Sequence, residues 1–133
     1  MKKNQENNWP NKIINFIGWV ILLLGIYATI KTSFNFVFYK NKYPTDPVIG
    51  PSFLYPRYEE ECYEQFNYPL YDEKGQPRKP TKDEEKLREQ QIKNCLKKIE
   101  KNREITKQND IWISFMLVFL GGGILITKKF YLK

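Results

Sequence analysis

Two cysteines, one run of glutamates and no histidine set the chemistry open to this 133-residue chain. The missing histidine removes the commonest general base, the commonest neutral metal ligand and any His-paired nucleophile. Cys62 and Cys95 form no C-x-x-C pattern, so zinc and thioredoxin-like readings fail. Glu59, Glu60, Glu61 and Glu64 form an acidic cluster, and paired carboxylates can do acid–base work or bind calcium. No D-x-D-x-D-G loop is present, however, and three consecutive glutamates point in different directions on a helix. A solvated helix start is the better reading. Gly121-Gly122-Gly123 has the look of a phosphate loop, but it lies inside an apolar run. No nucleophile–base set is visible, so the chain reads as non-enzymatic, with no cofactor and no metal expected.

The elements that would carry these residues are set by two apolar blocks. The mean hydropathy of −0.60 hides them, because the segment between is rich in charges and tyrosines. Ile13 to Ile30 has 18 residues without a charge, bracketed by Lys12 and Lys31. Ile111 to Thr127 has 17, bracketed by Asp110 and Lys128. As helices they span about 27 and 25 Å, close to the thickness of a bilayer core. The polar segment has too few aliphatics to cover two helices that are apolar all round. The predicted architecture is therefore an all-α integral membrane protein. It has short basic tails at 1–12 and 128–133, transmembrane helices at 13–30 and 111–127, and an extramembrane domain at 31–110. A cleaved signal peptide fits the first block poorly, since no A-x-A-like site follows it.

The net charge of +7 sits mostly beside these blocks. Lys2, Lys3 and Lys12 face only Glu6 in the first tail, and Lys128, Lys129 and Lys133 lie in the last. The stretch from Lys31 to Asp110 is nearly balanced, with sixteen basic and fourteen acidic residues. Topogenic lysines explain this excess, and nucleic-acid binding is not expected. Basic tails resist translocation. Charges in a loop this long carry little weight, so both termini are expected in the cytoplasm and the centre outside the plasma membrane.

The centre holds two predicted helices. Thr81 and Glu84 fit a capping box, with Thr81 as N-cap and Asp83, Glu84 and Glu85 at the positive helix end. A helix over about 82–108 follows, continuing into the second span or breaking at Asn109-Asp110. Its narrow apolar stripe is Ile92, Cys95, Leu96 and Ile99. Pro56 and the glutamates after it predict a shorter helix over about 56–66, with Tyr58, Cys62 and Phe66 on one face. Phe34 to Tyr39 is read as an extension of the first helix into the interface. Seven of the eight prolines lie between Phe34 and Pro80, with Tyr-Pro at residues 43, 55 and 68. This Tyr/Pro-rich segment is expected to be irregular and packed on the long helix, with Asp72-Glu73-Lys74-Gly75 as a turn.

Cys62 and Cys95 both fall on apolar faces. A domain this small outside the cytoplasm usually carries a staple, so a Cys62–Cys95 disulfide is predicted. Within the spans, small residues mark where helices can approach. Measured from the flanking lysines, Gly18 matches Gly122 in depth and Gly25 matches Ser114. An antiparallel hairpin is expected, with Gly121, Gly122 and Gly123 either inside it or facing another subunit.

The leading expectation is a membrane-anchored accessory or interaction protein displaying a disulfide-clamped domain. The lipid bilayer is one partner. A membrane or envelope protein meeting the Tyr-Pro surface is the other. The runner-up is a subunit of a homo-oligomeric assembly or pore packed through Gly121–Gly123.

Overall fold

The computed structural model describes residues 9–131, so Lys2, Lys3, Glu6 and Lys133 of the basic tails lie outside the described residues. The element order is α1 (Trp9–Phe38), α2 (Glu59–Phe66), β1 (Leu70–Tyr71), β2 (Pro77–Arg78) and α3 (Lys82–Tyr131). The fold is mostly helical, and α1 and α3 are each long and apolar enough to cross a membrane.

At 50 residues α3 is about 75 Å long and runs without a break through Asn109-Asp110. Of the two courses open at that point, the chain takes the continuous one. The reason is that Asp110 spends its carboxylate on other donors, described below, and not on a new helix start. The long helix begins where the capping box predicts. Thr81 Oγ1 accepts from the Glu84 amide at 3.4 Å, and Glu84 Oε2 accepts from the Thr81 amide at 2.8 Å. The first helix extends past Lys31 to Phe38, carrying Phe34 and Phe38 in a stacked pair.

Burial along the two long helices is inverted relative to a soluble protein. Gly18, Gly25, Ala28, Thr32 and Asn35 of α1 are buried, at steps of seven, three, four and three. This is the seven-residue stripe of packed helices, filled with small and polar residues. The large apolar side chains point outward: Phe16 is 70% exposed and Phe119 68%. Contacts descend α3 as they climb α1. A methyl group placed on Gly18 meets Ile124 and Leu125, and one on Gly25 meets the Val118 backbone nitrogen at 2.7 Å. One on Gly121 meets the Leu22 backbone nitrogen at 2.6 Å. Thr32 and Ser114 hydroxyls lie 3.2 Å apart further along.

This register corrects the depth matching expected from the lysines. Gly18 does not face Gly122, and Gly25 does not face Ser114. The helices are shifted by about three residues, because the closest approach is fixed by Gly25 and Gly121, each with the opposite backbone on it. Among the described residues nothing lies within 4 Å of a methyl group on Gly122 or Gly123. They point away from α1.

Two further departures concern the centre. The all-α expectation misses a small antiparallel pair, in which Leu70 lies opposite Arg78 and Tyr71 opposite Pro77. It is closed by the anticipated turn. Asp72 Oδ1 accepts from the amides of Lys74 and Gln76, and Gly75 takes φ of 75°, a conformation open to glycine. Second, α2 starts at Glu59 rather than Pro56. The Tyr55–Pro56 peptide bond is cis, and the Arg57 amide donates to Glu61 Oε2 at 2.8 Å.

Candidate functional site

The segment between Tyr39 and Tyr58 has no helix or strand, so its backbone groups need partners from elsewhere. The long helix supplies them. Asn102, Thr106, Asp110 and Ser114 follow one another at four-residue steps, placing them on one face, and all four are buried. Asn102 Nδ2 donates to the Pro56 carbonyl at 3.2 Å. Thr106 Oγ1 lies 3.1 Å from the Thr45 carbonyl and 3.0 Å from that of Asn102 in the preceding turn. Asp110 is the hub. Its Oδ2 accepts from the Tyr43 hydroxyl at 2.8 Å and its Oδ1 from the Val48 amide at 2.9 Å. At 1% exposure, Asp110 is among the most deeply buried side chains described.

Tyr43 is buried as well, its ring edge-on to Phe36 of α1. Burial raises its hydroxyl pKa well above the ordinary tyrosine value, and the bonded Asp110 carboxylate raises it further. Tyr43 thus stays a hydrogen-bond donor throughout the neutral and mildly alkaline range. Each oxygen of Asp110 accepts one hydrogen bond, so the pair fixes the path of the segment against α3.

Cys62 and Cys95 form the predicted disulfide, with Cα atoms 5.8 Å apart. With Ile99 they make the buried core of the centre, and Phe66 and Leu96 pack against it. Tyr58, expected on the same face, is instead exposed and donates to Asp46. Glu59 bridges Lys42 at 3.0 Å and Arg103 at 3.1 Å. Lys42, then Arg103, holds its carboxyl below the usual range. One residue of the acidic cluster therefore ties three parts of the chain together. Arg88 donates to the Tyr68 carbonyl and covers the Tyr68 ring, while Arg78 grips Glu84 with two bonds of 2.9 and 2.7 Å. These contacts seat the strand pair on α3.

The clamp was only partly visible in the residue string. Of the three Tyr-Pro tyrosines expected on the contact surface, Tyr55 and Tyr68 are exposed, but Tyr43 is buried because its hydroxyl donates to Asp110, and neither charge nor apolar period singles out Asn102 or Thr106. The available signal was the four-residue spacing of polar groups running straight into an apolar span. Among the described residues, no group of three or more His, Cys, Asp or Glu could hold a metal ion. Comparison with protein-family models, curated proteins and solved structures finds no match.

Proposed function

We propose that this chain is a two-pass membrane protein whose spans form an antiparallel hairpin, presenting a rigid, disulfide-clamped platform outside the membrane for contact with another protein. The observation that carries this reading is the inverted burial of α1 and α3. Small and polar side chains face inward while Phe16, Leu23, Ile30, Phe115 and Phe119 face outward, as a lipid environment requires. The disulfide favours an oxidising compartment for the centre, and the basic tails favour the cytoplasm for the termini. We read the role as non-enzymatic, on the ground that the sequence offers no nucleophile–base set. Tyr63, Tyr68 and Tyr71 stand exposed on the platform and supply the contact surface for a membrane or envelope protein.

Photo-crosslinking residues placed at Tyr63 and Tyr71 in native membranes test this. A discrete adduct with a different protein is expected. Adducts only with a second copy of the chain would argue against it. They would favour self-assembly, a reading supported by Gly122 and Gly123, which leave open space on the outer face of α3.

A further inference from the structure

Ten consecutive residues, Pro47 to Pro56, carry no charge and read PVIGPSFLYP. Their height along the molecule is fixed. Val48 is tied to Asp110, one residue before the charge-free span, and Pro56 is tied to Asn102 two turns away. Between these ties, Pro51, Phe53 and Leu54 line a shallow hollow with Ile105, Thr106 and Asn109. Asn109 lies about 3 Å and Ile105 about 9 Å beyond Ile111 along the helix axis. The headgroup zone of a bilayer is roughly 5–8 Å thick on each side. On the two-pass reading these levels overlap the headgroup zone, and Phe53 is 89% exposed, the most exposed of the large apolar residues described. Trp112, 66% exposed, lies on the same face of α3 as Ile105 and Asn109, which back the loop.

We infer that the Pro47–Pro56 loop is a third membrane contact, with Phe53 inserted among the lipid headgroups of the outer leaflet. This rests on the two-pass reading. The occupant is lipid because the segment is uncharged, lies on the helix face that carries the exposed Trp112, and is held near the depth where aromatic side chains settle. The unbroken α3 ties the platform rigidly to the second span. A third contact displaced from the helix axes fixes its tilt.

The test uses the intact, oxidised protein in phosphatidylcholine vesicles, with single spin labels at F53C, G75C and F119C. Collision rates with oxygen and with a water-soluble nickel chelate give the depth of each. The label at Phe53 is expected within roughly 5–8 Å of the acyl boundary, that at Gly75 in water and that at Phe119 deep in the acyl region. A water-like signal at Phe53 beside a buried signal at Phe119 would overturn this inference while leaving the two-pass reading intact. Water-like signals at both would overturn the two-pass reading itself.

Discussion

Replacing Asp110 with alanine strips the acceptor from two donors at once, the Tyr43 hydroxyl and the Val48 amide. Leaving buried donors unpaired costs about 1–3 kcal/mol each. Asp110→Ala is therefore expected to lower stability by about 2–6 kcal/mol, and Tyr43→Phe by about 1–3 kcal/mol. Thermal unfolding followed by circular dichroism in detergent checks both. The Tyr43 hydroxyl also has a pH signature. Its folded pKa is raised above the unfolded value near 10. The stabilisation it gives is complete below that value and is lost only as pH rises through the folded pKa. Ultraviolet titration should thus give wild type and Tyr43→Phe the same ionisation amplitude up to about pH 10. One fewer ionising tyrosine in the variant at pH 10 would contradict the buried donor.

Among elements, the close approach of α1 and α3 should discriminate sharply between adjacent glycines. Gly121→Leu forces a side chain onto the Leu22 backbone, and overpacking of this kind costs about 1–3 kcal/mol or more. Gly122→Leu meets open space and should leave the unfolding temperature nearly unchanged. Equal effects would reject the register. At the start of α3, Arg78 and the Thr81 amide hold the Glu84 carboxyl down at about 2. A depressed carboxyl contributes stability present above its unfolded pKa, near 4.3. That contribution is lost as pH falls towards 2. Carboxyl NMR titration should find Glu84 ionised at pH 3, and Arg78→Ala should raise its midpoint. The two long apolar helices and the Thr81 cap were legible in the sequence because both are local patterns of charge and period. The register was not. Flanking lysines reach several ångströms to the interface and so mark depth loosely, whereas Gly25 and Gly121 set it through backbone contact. The strand pair at Leu70 and Arg78 escaped notice because two-residue strands carry no alternation to read.

At the scale of the whole molecule, the disulfide at Cys95 and the polar clamp over Asn102 to Asp110 join the Tyr/Pro-rich segment to the same helix. Cys62 and Cys95 are 33 residues apart, so opening their bond restores chain entropy worth about 4 kcal/mol. Reduction, or a Cys62→Ser/Cys95→Ser double variant, should release the centre at a lower temperature than the spans. The pairing was foreseeable because each cysteine lay on an apolar stripe. The clamp was not, because its partners are backbone groups of an irregular segment whose path no periodicity records. The decisive issue is which side of the membrane each part occupies. A membrane-impermeant maleimide applied to intact cells carrying Gly75→Cys or Lys129→Cys, with the native disulfide retained, answers it directly. Labelling at Gly75 without permeabilisation, and at Lys129 only after it, is the expected result. Labelling of both in intact cells, or of Lys129 alone, would contradict a two-pass anchor with its platform outside.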